Sequence, residues 1–291
     1  AFTGSIRAQG KPSSYFERGR HGTFNFKSSP TQDLVIRSDI ALSPGTNWLF
    51  KSLTVTNGAV FEVQSVPGTA TELYTNEVAS RLRILGDVTI AADSSLSVDG
   101  LGYLGKEGPG AGKINGTSGS GGGGYGGAGG YGYAAGGGVY GSPGKPDRLG
   151  SGGGNASNGG VALILEAGGK VIVQGTVSAT GDTLGQRDGG GSGGSIWIKA
   201  ERLEGEGTIV ADGGSGGDLT TNRSGGGGGG RIAIEVISDR LTGEEPGTYL
   251  AYGGTPNGRV SVAGGLGGLA EDGTPGTFYL FRPRGSVLLI R

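Results

Sequence analysis

Two glycine blocks in this chain run straight into alternating apolar segments: GGGSGGSIWIKA from Gly189 and GGGGGGRIAIEV from Gly225. Such a block has almost no side chain to bury, and glycine loses more backbone entropy on folding than any other residue. It can be ordered only if its N–H and C=O groups find partners. Glycine accounts for 70 of the 291 residues, against a typical share of about 7%, and the strict G-X-Y period of collagen is absent. Any fold for this chain must therefore use main chain where other proteins use side chains.

Between the two blocks lies a second alternating run, GTIVADGG from Gly207, so one unit reads strand, short turn, strand, glycine-rich excursion, next strand. Related segments are RLRILGDVTIAADSSLSVDG from Arg81, VALILEAGGKVIVQGTVSATGD from Val161 and FYLFRPRGSVLLIR from Phe278. Aligning Leu82, Ala162, Ile196, Ile232 and Tyr279 gives an irregular internal repeat, the sequence pattern of stacked units with insertions on one face. The fold class predicted is all-β: a β-solenoid or β-sandwich-like stack of short strands carrying ordered, polyproline-II-like glycine insertions. No segment has a convincing helical period.

Residues 1–80 are less repetitive and form an expected amino-terminal β region, a cap or an acceptor domain. Its rings, among them Trp48, Phe50 and Phe61, are expected to make a small core sealing one end of the stack. Asn57-Gly58 suits either a type I′ hairpin or a solenoid corner. Residues 81–285 form the repeat domain, with the largest glycine insertion at 100–160. Residues 286–291 form a terminal strand.

The blocks GGGSGGSIWI and GGGGGGRIAI resemble the glycine-rich β-repeat regions of large bacterial secreted and cell-surface proteins, over roughly residues 81–282. Ordered glycine sheets are also a feature of some phage tail-tip adhesins, receptor-kinase ectodomains and an insect antifreeze protein. The resemblance implies an extracellular location and a structural or adhesive role.

Formal net charge is −1, from 24 basic and 25 acidic residues, which gives no electrostatic reason to expect nucleic acid as a partner. No run is long enough to predict membrane insertion as a helix. Cysteine and methionine are both absent, which suits long life in an oxidising compartment, and Ala1 fits a chain left by signal cleavage.

Catalytic chemistry finds little to work with, and no enzyme activity is expected. Gly108 to Lys113 looks like part of a phosphate loop, but Glu107 and Ile114 stand where a glycine and a hydroxyl are needed. His21 is the only histidine. Asp99, Asp182 and Asp212 close equivalent strands and could line up as a calcium column; Asp218 lies in a partial match to a calcium nonapeptide. The competing explanation is that Asp-Gly is good turn chemistry, so no cofactor is expected and calcium is the only candidate. Asn115, Asn155 and Asn222 fit the glycosylation sequon.

Val287, Leu288, Leu289 and Ile290 are expected to pair with an edge strand, in the same chain or in a neighbouring copy. Exchange between copies would be head-to-tail and would propagate. The function expected is a structural subunit of an extracellular fibre, sheath or surface layer, a homopolymer whose main partner is itself. The alternative is a secreted adhesin that binds glycan, receptor or cell surface through Tyr125, Tyr131, Tyr133 and Tyr140. A polysaccharide-active β-helix enzyme is the remote third.

Overall fold

A computed structural model describes residues 23–24, 29–42, 47–64, 79–115, 119–217, 223–236 and 260–281. Five strands come first: β1 (Thr23–Phe24), β2 (Ser29–Ile36), β3 (Ile40–Leu42), β4 (Asn47–Val55) and β5 (Val60–Val63). Three passes of a shared plan follow: β6 (Ser80–Ile84), β7 (Val88–Ile90) and β8 (Ser95–Ser97); β9 (Ala162–Ala167), β10 (Lys170–Val173) and β11 (Thr176–Ser178); β12 (Ser195–Ala200), β13 (Arg202–Glu204) and β14 (Thr208–Val210). The last are β15 (Arg231–Val236), β16 (Val260–Ser261) and β17 (Thr277–Phe281). Among the described residues there is no helix, and so none long and apolar enough to cross a membrane.

The strands make two sheets. The larger has ten strands in the order β13-β10-β7-β4-β6-β9-β12-β15-β17, with β2 also on β4; the smaller has seven, β1-β3-β5-β8-β11-β14-β16. All their ladders are parallel. The large sheet has strands in line as well as side by side, because β4 pairs with β6 through Asn47–Phe50 and with β7 through Leu53–Val55.

This corrects the expected fold class. The all-β content is there, but the chain is neither a regular solenoid nor a sandwich: the two sheets are unequal and curl like half a barrel. Successive passes also differ, since β3 and β4 are joined by residues 43–46 while β8 and β9 are joined by residues 98–161. The glycine runs are not separate insertions. They are the return connections from the small sheet to the large one, and they bond to one another.

Asn57 and Gly58 both have positive φ, 65° and 69°, as a type I′ turn needs, yet they join strands of different sheets. The pair turns a corner and forms no hairpin. A hairpin would place β5 antiparallel beside β4; instead β5 lies parallel to β3 and β8.

One core fills the space between the sheets. The ladder Leu163, Ile196, Ile232 of the large sheet faces the ladder Phe61, Leu96, Val177, Ile209 of the small one, all fully buried. Each such side chain contributes about 1.5–3 kcal/mol. Trp48, Phe50 and Phe61 belong to this same cluster and do not form a separate end core.

The register differs from the expected alignment at three points. Ser80, Leu163, Ile196, Ile232 and Phe278 are the residues that lie across from one another. Ile196 and Ile232 are equivalent as expected. Leu82 is displaced by two residues, and Ala162 and Tyr279 by one, which puts the latter two on the opposite face. The cause is in the sequence: β9, β12 and β15 each begin with four buried residues, so alternation does not mark the inner face. Strands covered on both sides read as continuous apolar runs.

What marks the face is charge. On the outer side of the large sheet, Arg83, Glu166, Lys199 and Glu235 alternate in sign along one ladder row. Arg83 and Lys199 lie 3.5 and 3.6 Å from the Glu166 carboxylate, which also pairs with Arg81. Lys199 sits 4.0 Å over the Trp197 ring, whose Nε1 donates to Glu235 at 3.0 Å. A slip of one strand would bring like charges together or remove the pairs.

Candidate functional site

The glycine returns run into the starts of the large-sheet strands, and the longest of them packs Tyr103 and Leu149 on Ala162 at the start of β9. Their hydrogen bonds follow a rule best seen in the segment 189–194. Gly189 and Ser192 donate to Gly154 and Ser151; Gly190 and Gly193 donate to Gly225 and Gly228; Gly191 and Gly194 donate to Asp182 and Ala179, all at 2.7–3.0 Å. Segment 225–230 repeats it. Gly225 and Gly228 donate to Ser120 and Gly123, Gly226 and Gly229 to Glu271 and Thr274, Gly227 and Gly230 to Gly214 and Ala211. Every third N–H therefore meets the same neighbour, which is the rotation of a chain with three residues per turn. Each segment is bonded on three sides, and the returns together form a lattice of main chain.

Glycine is required here by distance. A Cβ on Gly190 would lie 1.8 Å from the Gly214 carbonyl oxygen, and one on Gly226 would lie 1.9 Å from that of Gly265. Real Cβ atoms do not approach backbone so closely, so these positions can pack only without side chains.

Tyr125 ties the lattice to the sheet. Its ring is fully buried, and its hydroxyl lies 2.6 Å from Ser195 Oγ at the start of β12. The Arg231 guanidinium sits 5.3 Å from the ring centroid. Arg231, buried at the start of β15, donates to the Tyr140 carbonyl through Nε and Nη2 at 3.2 and 2.8 Å, and to Thr277 Oγ1 at 2.8 Å. Tyr140 packs on Tyr125 at 4.8 Å, and its hydroxyl reaches Ser151 Oγ at 2.8 Å. Residues from two neighbouring large-sheet strands thus meet two tyrosines of one glycine return, and Arg231 carries the contact on to Thr277 of the third.

The four tyrosines selected from sequence consequently do not share a face. Tyr125 and Tyr140 are pins between layers; Tyr131 and Tyr133 are 53% and 46% exposed. The lattice also absorbs the loop at Gly108–Lys113, where Gly110 N donates to Ser151 Oγ and the Gly110 carbonyl accepts from Gly124.

The aspartates at strand ends work as pegs between passes. Asp99 accepts from Ser178 Oγ at 2.8 Å and from Thr180 N at 2.6 Å. Asp212 repeats the contact two passes on, accepting from Ser261 Oγ at 2.6 Å and Ala263 N at 2.7 Å. Asp182 instead lies against Gly100, whose added Cβ would be 2.0 Å from its Oδ1. Among the described residues no three acidic or histidine side chains converge as a metal site. Asn115 is exposed and its amide donates to the Tyr133 carbonyl at 2.7 Å; the exposed Asn155 donates to Asp188. His21, Asp218, Asn222, Val287, Leu288, Leu289 and Ile290 lie outside the described residues.

Asp188 is a buried carboxyl at the edge of the lattice. Burial pushes its pKa above the ordinary aspartate value, against the opposing pull of the Asn155 amide, the Gly185 backbone and Lys106. A carboxyl raised in the fold stabilises it below the unfolded pKa, and that contribution is lost as pH rises through the folded value. Asp188→Asn should therefore gain on the wild type in denaturant titrations as pH is raised from about 4, the ordinary carboxylate range, to 7. A gap that stays constant with pH would assign the pH response elsewhere.

The Tyr125–Arg231–Tyr140 clamp is not evident in the sequence alone. The signal that could have found it is Arg231 itself, a charge in the same place before IAIE that Ser195 takes before IWIK. Comparison with protein-family models, curated proteins and solved structures finds no match.

Proposed function

We propose that this chain is a structural subunit of an extracellular fibre, sheath or surface layer, and that copies associate by strand pairing. The observation that carries the reading is the three-sided lattice, in which main-chain bonds hold together a layer with few apolar side chains. Such a layer serves endurance: breaking one segment free means giving up bonds to three others at once. Parallel ladders support the association step. β17 pairs with β15 on one side, and among the described residues no strand lies on its other side. The segment from Val287 to Ile290 is the proposed exchanged strand. Extracellular placement is supported by the lack of both sulfur-containing residues.

Negative-stain images of the purified full chain across a concentration series test this. Long unbranched polymers are expected, and deletion of residues 286–291 should abolish them. Discrete particles at every concentration would overturn the proposal.

One observation favours the adhesin alternative. Tyr131, Tyr133, Ile114 and Val139, all on the return between β8 and β9, are each about half exposed. Discrete particles that bind a glycan array, and lose binding on Tyr131→Ala, would support that alternative over the fibre.

A further inference from the structure

Four residues occupy the same place, two positions before a large-sheet strand: Gly160 before β9, Gly193 before β12, Gly229 before β15 and Pro275 before β17. The first three send their N–H into the next layer. Gly160 donates to Ser192 at 3.0 Å, Gly193 to Gly228 at 2.9 Å and Gly229 to Thr274 at 2.9 Å. The fourth is proline, which has no N–H to send.

A second series lies three residues earlier. Gly190 donates to Gly225 and Gly226 donates to Glu271, both at 3.0 Å; the next member is Asp272, and among the described residues nothing accepts from its N–H. The same positions are closed to side chains inside the lattice. A Cβ on Gly193 would lie 2.2 Å from the Ala211 carbonyl oxygen, and one on Gly229 would lie 2.0 Å from that of Val262. In the last layer these places hold Asp272 and Pro275, both exposed. At Pro275 the donor itself is gone, and at both places a side chain fills the clearance that a further layer would need.

We infer that residues 271–276 terminate the glycine lattice: the layer is built so that the lattice of a second copy cannot stack on it. Exposed backbone edges template unwanted pairing, and proline and charge are the residues that block it. Glu271-Asp272 and Pro275 stand where segment 225–230 has glycine throughout. Among the described residues the last layer is therefore divided, with a closed lattice edge beside the edge of β17. This inference does not need the fibre proposal, because it concerns what the lattice edge refuses.

The test is the full chain carrying Asp272→Gly and Pro275→Gly, compared with the wild type by sedimentation velocity over a dilution series. The double variant should begin to associate at a concentration at least about tenfold lower, because Pro275→Gly restores a donor, both changes restore clearance, and two interlayer hydrogen bonds can then form. Hydrogen exchange should show protected amides at positions 272 and 275 in the associated form. An onset within about twofold of the wild type, in a variant whose thermal melt is unchanged, overturns the inference. So does an equal shift in Pro109→Gly, which changes an exposed proline beside Gly110, whose neighbours are Gly124 and Gly138. If the double variant melts early, Pro275→Gly alone is read the same way against a smaller, about threefold, shift. Whether the wild type polymerises is read from the unmutated sample in the same series, so the two proposals fail separately.

Discussion

Gly137→Ala is expected to destabilise the protein by about 3–4 kcal/mol, whereas Gly138→Ala should leave it unchanged or up to about 1 kcal/mol more stable. The two residues are neighbours in one glycine return, and chemically the substitutions are identical. They differ in what surrounds them. A Cβ on Gly137 would stand 1.7 Å from the Gly110 carbonyl oxygen and 2.8 Å from Gly124 N, while one on Gly138 would meet nothing within 4 Å. Gly137 donates to Gly122 and accepts from Gly129, so the methyl group cannot be accommodated without moving segments bonded on other sides. Neither residue has positive φ, so backbone strain is not a difference between them. Alanine at 138 acts chiefly on the unfolded chain, which it makes less free. Urea denaturation of both variants measures this directly. Equal effects would mean that the lattice tolerates side chains and that its close contacts are not what holds it.

The same comparison shows how much of this molecule could be read from its residues. The glycine-to-strand blocks announced both the β content and the need for paired main chain, and Ile196 and Ile232 aligned correctly because each block runs into its strand at the same distance. Other features depend on layers that no local pattern reports. Sequence does not separate Ala162 from Leu163, because VALILE is apolar on both faces: Leu163 and Leu165 enter the core between the sheets, Ala162 packs on Tyr103 and Leu149, and Ile164 packs on Trp197 and Ala233. Asn57-Gly58 has the dihedral angles of a hairpin turn, but whether the next strand returns beside β4 or crosses to the other sheet is decided by what buries Phe61 and Val63, between β3 and β8. Tyr125 looks like its exposed neighbours Tyr131 and Tyr133 in sequence, since all three are tyrosines set among glycines. Only the placement of Ser195 and Arg231, two strands brought together by the ladder, separates a pin from a surface ring. Asp99 and Asp212 are legible as recurring strand-end carboxylates, yet their partners are hydroxyls and amides of the next pass, which sequence spacing does not identify.

Tyr125→Ala should cost about 3–5 kcal/mol, a loss comparable to emptying a core aromatic site, although Tyr125 lies outside the core between the sheets. Removing its ring would uncover the Arg231 guanidinium, which has no carboxylate partner among the described residues and relies on the Tyr140 carbonyl, Thr277 and the ring face. A buried cation stripped of one of its partners is costly. It would also remove the surface on which Tyr140 packs, in the return whose Tyr103 and Leu149 pack on Ala162 at the start of β9. Tyr125→Phe isolates the hydroxyl. Ser195 Oγ keeps its bond to the Arg148 carbonyl at 2.6 Å, so this variant should lose only about 0.5–1.5 kcal/mol. The ratio of the two losses is the informative quantity. If lattice and sheet fold as one unit through this clamp, Tyr125→Ala lowers a single cooperative transition, and amides at Gly228 and Ile232 lose protection together in hydrogen exchange. If instead the lattice amides open while those of Ile232 and Leu163 stay protected, the two layers are independently stable, and the clamp only registers one against the other.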